Sequence, residues 1–421
     1  MKSMETNTTY AKRPAGYFMK PRRTFGTRTA RFGGGRHSNG FGSGRPAGKR
    51  FNRGERIDPA RFVNKAVTDL IEDIKSTECK FTDFDIDKQL MHCIENRGYQ
   101  NATPIQALAI PQVLKGADVV GIADTGTGKT AAFLVPLINK TMHDKTAKVL
   151  IVAPTRELAD QINKEIKEFT KGLHIFSACC VGGASISRQI YELRYDNSFI
   201  VGTPGRLKDM IERNRINLAK FNTIVLDEAD RMMDMGFIAD MRFLMDKMPK
   251  GRQTLFFSAT MSSRIEGLIG EFLRNPQTIA IKTRDTSSNV EQDVIRIDGG
   301  KSKIETLEIL LRNKDFSKVL VFGRTKHGVQ HLYETLIKRG FKADSIHGNK
   351  NYSQRQRALE MFKKSFIQVL VATDVAARGI DVADISHVIN YDLPDTYEDY
   401  IHRIGRTGRT GKFGKALTFV E

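Results

Sequence analysis

Eight consecutive residues, Ala123-Asp124-Thr125-Gly126-Thr127-Gly128-Lys129-Thr130, set two glycines, a lysine and a hydroxyl between an apolar run and a stretch of helical spacing. Backbone N–H groups of such a loop can wrap phosphate oxygens, and the following helix N-terminus favours their charge. In that frame Lys129 reaches the β/γ-phosphates and Thr130 ligates Mg²⁺. Ala123 stands where the general pattern has its first glycine, so an ordinary Gly-rich strand-to-helix turn is the competing reading. Further on, Asp227-Glu228-Ala229-Asp230 closes the apolar run "TIVL". A carboxylate at a strand end beside a phosphate loop is where nucleotide enzymes hold their metal. Asp227 is the expected Mg²⁺ ligand, through water, and Glu228 the group that polarises an attacking water. Near the end, "HRIGRTGR" places Arg403, Arg406 and Arg409 three residues apart, along one side of a short helix. A basic RNA-binding surface is one reading. The sharper one is charge neutralisation at a γ-phosphate, for which the first half offers little beyond Lys129. An arginine so used contributes about 10³–10⁵ in rate.

These groups need rigid elements behind them. Seven apolar runs, "DVVGIA", "KVLIVAP", "FSACCVGG", "FIVGTP", "TIVLDEAD", "TLFFSAT" and "QTIAIKT", read as buried strands. Six more follow: "QDVIRID", "KVLVFG", "ADSIHG", "QVLVAT", "HVINYD" and "ALTFVE". Strands alternating with helical stretches imply parallel sheets covered on both faces, an α/β class. At 421 residues the chain exceeds what one core usually serves. The polar run Thr283–Asn289 is the expected linker between two sheets. Phe62, Ala66, Val67, Leu70, Ile71 and Ile74 mark a short amphipathic helix within 57–80. Before it, residues 1–56 hold ten glycines, seven aromatics and fourteen Lys/Arg against two acids, a net of +12 out of the chain's +19. That composition predicts a disordered basic tail and a polyanionic partner, nucleic acid ahead of an acidic membrane. A solubilising tail is the blander alternative.

Four cysteines, Cys79, Cys93, Cys179 and Cys180, have neither metal spacing nor a disulfide framework, so we expect buried thiols in a reducing cytosol. No run approaches the roughly 20 apolar residues of a membrane span, and the N-terminus lacks a signal-peptide core. A soluble cytoplasmic protein is expected. Because the last strand ends the chain, a C-terminal accessory domain is not.

Taken together, "GYQNATPIQ", "ADTGTGKT", "PTRELA", "VGG", "TPGR", "DEAD", "SAT", "VFGRT", "QRQR", "ATDVAARGID" and "HRIGRTGR" stand in one order over residues 81–421. In these motifs the sequence resembles the DEAD-box family of superfamily 2 RNA helicases. The resemblance implies two tandem RecA-like domains, 81–283 and 284–421, with ATP and Mg²⁺ as cofactors. It implies that Gln106 reads the adenine edge and that Phe81, seventeen residues before Gly98, stacks on the base. Thr125, Gly126, Thr127, Gly128, Lys129 and Thr130 would hold the phosphates, and Asp381 the ribose. Ser258 and Thr260 would couple hydrolysis to RNA. Arg406 and Arg409 would be the γ-phosphate fingers, with His402 and Arg403 bracing the interdomain contact. RNA backbone contacts would fall to Pro154, Thr155, Arg156, Gly183, Thr203, Gly205 and Arg206. Across the cleft they would fall to Arg324, Thr325, Gly348, Gln354, Arg357, Thr373 and Asp374.

Three positions depart from the family pattern. Asp124 replaces a usual Gln, Ala102 replaces a usual Pro, and "VFGRT" looks like the bacterial branch. The implied activity is ATP-dependent RNA binding and local duplex unwinding without sequence preference, on single strands and short duplexes. An RNA-annealing or clamping chaperone with ATP as timer, and a DNA helicase of the same superfamily, are the alternatives. Ribosomal or mRNA-decay proteins are the partner classes implied, and no membrane.

Overall fold

Short runs such as Val149–Val152 and Val319–Phe322, apolar at every position, cannot have a wet face. They are buried on both sides, as parallel strands must be when helices cover each face. In a computed structural model, residues 62–63, 79–124, 126–281, 290–297, 300, 302–377, 382, 384–408 and 413–420 are described. The expected tail 1–56, most of the flanking segment 57–80 and the linker Thr283–Asn289 lie outside them, as do Thr125, Asp381 and Arg409.

The first sheet holds β1 (Val119–Ile122), β2 (Val149–Val152), β3 (Ser177–Cys180), β4 (Phe199–Gly202), β5 (Thr223–Leu226), β6 (Gln253–Ser258) and β7 (Gln277–Ala280). Their order is β3-β4-β2-β5-β6-β1-β7, all parallel. The second sheet holds β8 (Val290–Arg296), β9 (Val319–Phe322), β10 (Ala343–Ile346), β11 (Val369–Ala372), β12 (His387–Asn390) and β13 (Gly414–Val420). Its order is β10-β11-β9-β12-β13-β8, again parallel. Each of the thirteen apolar runs overlaps one of these strands, but β7, at the sheet edge, is exposed at three of its four positions rather than buried. Each sheet has a separate apolar cluster on either face. Both sheets lie within one compact unit, Arg53–Glu421. Parallel strands send all their C-terminal ends to one edge, and every motif quoted above that follows a strand emerges there. Among the described residues no helix is long and apolar enough to cross a membrane.

Candidate nucleotide site and nucleic-acid groove

The loop expected to hold phosphates leaves β1 and opens the helix Lys129–His143. Gly126 and Gly128 have φ of 86° and 94°, left-handed backbone that glycine enters without strain. A Cβ on Gly128 would also overlap Gln106 Nε2. Gln106 is 1% exposed; its Nε2 donates to Gly128 O at 3.0 Å and its Oε1 accepts from Thr103 N at 2.9 Å. The amide therefore ties its own helix start to the loop. It keeps one N–H and one lone pair for another partner. Lys129, buried, donates to Ala123 O at 2.6 Å, and Thr127 Oγ1 donates to Asp124 O at 2.8 Å. Phe81 is 1% exposed, edge-on to Phe84 and Tyr99 at 5.9 and 5.8 Å between centroids. Its ring lies in the core, and a base could stack on it only after one face is uncovered.

β5 delivers Asp227 and Glu228 to the same edge, with β6 between it and β1. Asp227 is 3% exposed, and burial drives its carboxyl up to about 7, opposed by Lys129 and reinforced by Glu228. Glu228 sits at φ 51°, ψ 50°, a left-handed conformation that costs a non-glycine residue roughly 1–3 kcal/mol. Its carboxylate pairs with buried Arg231, Nη1 to Oε2 at 2.9 Å. Mg²⁺ is commonly held by one or two carboxylates together with substrate phosphates and water. Asp227 and Thr130 beside a phosphate cradle fit that demand. No cluster of three or more His, Cys, Asp or Glu among the described residues would bind a metal unaided.

Asp230 makes the link to β6. Its Oδ2 accepts from Ala259 N at 3.0 Å and Thr260 N at 3.2 Å, while Ser258 Oγ donates to Thr260 O at 2.8 Å. Burial alone would raise the Asp230 carboxyl, but Lys129, Arg231 and the backbone N–H groups hold it below the usual range. Sequence reasoning passed over Asp230, although it is the last letter of the quoted "DEAD".

On the other half of the edge, the loops after β2, β3 and β4 surround a cavity of about 430 Å³. Pro154, Thr155, Arg156, Thr203, Gly205 and Arg206 line it, joined by Arg355 and Val375 from the second domain. Thr155 caps the helix Arg156–Phe169, accepting from Leu158 N at 3.2 Å. A Cβ on Gly183 would overlap the Arg156 guanidinium. Arg206 Nη1 donates to Gln189 Oε1 at 3.0 Å. Arg355 Nη2 stands 2.8 Å from Glu157 Oε1, an ion pair between the two domains, though neither Glu157 oxygen meets hydrogen-bond geometry. Burial pushes the Glu157 carboxyl above the usual range against the pull of Arg355. "PTRELA" and "QRQR" contained both residues, but charge inside a motif does not say which neighbour it meets.

In the second domain, Arg324 and Thr325 follow β9, Gly348 follows β10, and Thr373 and Asp374 follow β11. These three strands are neighbours. Thr325 caps the helix Lys326–Lys338, and Gln354 Oε1 accepts from Asn351 N at 3.0 Å. Gly348 and Arg357 are exposed. Asp374 is clamped by Arg403, Nε to Oδ1 at 2.5 Å and Nη2 to Oδ2 at 2.7 Å. Arg403 Nη1 also donates to Asn390 Oδ1 at 3.1 Å and Asp392 O at 2.6 Å. Arg403 thus braces the second domain internally. His402 and Arg406 line a small cavity with Asp374 and Asp399, and Arg406 Nε donates to His402 O at 3.3 Å.

The DEAD/DEAH box helicase family pattern matches residues 103–268, and the helicase conserved C-terminal domain matches 302–411. The ATP-dependent RNA helicase CshA of Listeria monocytogenes is 44% identical over 344 residues, 81% of this chain and 66% of that protein. The DEAD-box ATP-dependent RNA helicase CshA of Bacillus subtilis is 44% identical over 342 residues, 81% of this chain and 69% of that protein. The chain therefore spans about two thirds of the length of these relatives. Among solved structures, S. cerevisiae Dbp5 bound to RNA and ADP BeF3 superposes with a TM-score of 0.73 at 30% identity, covering 81% of this chain and 89% of that one. Mss116p bound to ssRNA and AMP-PNP gives 0.72 at 30% identity, covering 80% and 72%. The chain belongs to the DEAD-box family of ATP-dependent RNA helicases.

Proposed function

We propose that this chain hydrolyses ATP in the cleft between its two domains, stimulated by RNA, and uses the cycle to part short duplexes locally without sequence preference. The observation that supports this best is the division of the first sheet's C-terminal edge. The phosphate loop, Asp227, Glu228 and "SAT" occupy the β5-β6-β1 side, and the groove occupies the β3-β4-β2 side. Within that first side, Asp230 ties the "DEAD" run to the backbone of Ala259 and Thr260 in "SAT". Relatives solved with RNA together with a nucleotide or its analogue support the same reading.

In this reading Lys129 neutralises β/γ-phosphate charge, with Thr130 and Asp227 holding Mg²⁺, which supplies charge neutralisation on the phosphates when bound. Glu228 orients the attacking water and accepts its proton. Gln106 reads adenine with its spare donor and acceptor. Arg406 and Arg409 approach the γ-phosphate from the second domain once it closes. Pro154, Thr155, Arg156, Gly183, Thr203, Gly205 and Arg206 face Arg324, Thr325, Gly348, Gln354, Arg357, Thr373 and Asp374 across one RNA strand. ATP and RNA both favour closure, so each raises the affinity for the other. RNA as substrate and four thiols without disulfides suit the cytoplasm. Glu228→Gln tests the assignment: it should abolish RNA-stimulated hydrolysis yet leave ATP and RNA binding intact. Near-normal turnover in that variant would remove Glu228 from the mechanism.

A further inference from the structure

Phe62 precedes the first domain in sequence, yet it is 0% exposed, in a cluster with Val290, Tyr400, Ile404 and Ala416 of the second. Its ring lies 4.6 Å from the Tyr400 ring between centroids, tilted by 53°. Tyr400 is itself fixed: its hydroxyl donates to Gln292 Oε1 at 2.9 Å, and its ring stacks on Tyr397 at 5.7 Å. Two of these partners have consequences. Val290 opens β8, directly after the residues that join the two sheets. Tyr400 and Ile404 belong to the helix Tyr397–Ile404, which carries His402 and Arg403 and ends two residues before Arg406. The sixteen residues between Phe62 and Cys79 could reach at most about 60 Å. Docking on the second domain is therefore compatible with domain movement.

We propose that Phe62 is a docking anchor. It plugs this chain's own N-terminal segment into the second domain beside the root of the interdomain linker. There it positions the helix Tyr397–Ile404. Phe62 touches no reacting group, so it is a positioning residue, and this half of the proposal rests on the ATPase reading above. Burying such a ring is worth a factor of roughly ten to a hundred in a docking equilibrium, enough for one side chain to decide whether the segment is held.

Hydrogen–deuterium exchange on the full chain separates the two halves. In Phe62→Asp and Phe62→Ala, amides of 290–296 and 397–404 should exchange roughly tenfold faster or more. The β5 amides of Thr223–Leu226 should be unchanged, and Phe62→Leu should recover most of the protection. A peptide of residues 57–70 added to Phe62→Asp should restore protection in trans, which distinguishes lost docking from lost folding. At saturating RNA, kcat for ATP should fall by roughly tenfold, as for a misplaced catalytic group, with KM little moved. Unchanged exchange at 397–404 in Phe62→Asp overturns the anchor. Faster exchange with unchanged kcat overturns the positioning role. If the unaltered protein hydrolyses no ATP, the functional reading fails, while exchange alone still decides the docking.

Discussion

Replacing Asp227 by Asn should remove a pH-dependent weakness from the first domain. Asp227 is 3% exposed, and burial moves its carboxyl from 3.8 to about 7, with Lys129 opposing and Glu228 adding. The unfolded chain releases this proton near 3.8, the native state only near 7. Between those values the native state holds a proton that the unfolded chain has lost, so stability falls as pH rises. Below the window nothing is lost; above it the loss is complete and constant. At roughly 1.4 kcal/mol per unit the whole window is worth on the order of 4 kcal/mol, and the span from pH 5 to pH 8 about 3. The Asp227→Asn protein lacks this carboxyl. Wild-type melting of the first domain should therefore drop relative to the variant by roughly 5–10 °C between pH 5 and pH 8. Calorimetry without nucleotide or divalent cation measures it. A difference that stays flat across that range, or moves the other way, would refute the burial argument.

Arg403→Leu leaves Asp374 without its bidentate partner and Asn390 Oδ1 without a donor. Removing one member of such a pair costs about 3–5 kcal/mol, so the second domain should melt on the order of 10 °C lower while the first is unmoved. Gln106→Ala removes the amide that bridges Thr103 N and Gly128 O. The ratio of kcat/KM for ATP over GTP should fall by roughly tenfold, within the 1–3 kcal/mol of a bidentate base contact; a variant that keeps the parent's ratio would place adenine reading elsewhere.

The strands were legible because burial on both faces demands unbroken apolar runs, as in "VLIV" and "VLVF". The loop 123–130 was legible from two glycines, a lysine and a threonine set between a strand and a helix; positive φ, which seven other described glycines share, would not have marked it. Partnership was not. Nothing in "HRIGRTGR" says that its first arginine turns inward to Asp374, 29 positions upstream. Nor does "DEAD" say that its last carboxylate reaches Thr260, 30 positions downstream. Phe81 and Phe62 mark the same limit from the apolar side: both were visible as aromatics, but only packing shows one in the first core and the other in the second. Spacing reports which face a residue takes on its own element; contacts between distant elements are set by the tertiary fold.

A site completed only when RNA helps the two domains close is probed by single-turnover ATP hydrolysis of wild-type and Arg406→Ala proteins, with and without saturating RNA. RNA should accelerate the wild-type step, and Arg406→Ala should lose far more than tenfold of the RNA-saturated rate. ATP binding by the first domain should hardly change. A wild-type rate indifferent to RNA, or an Arg406→Ala loss smaller than about tenfold, would contradict it.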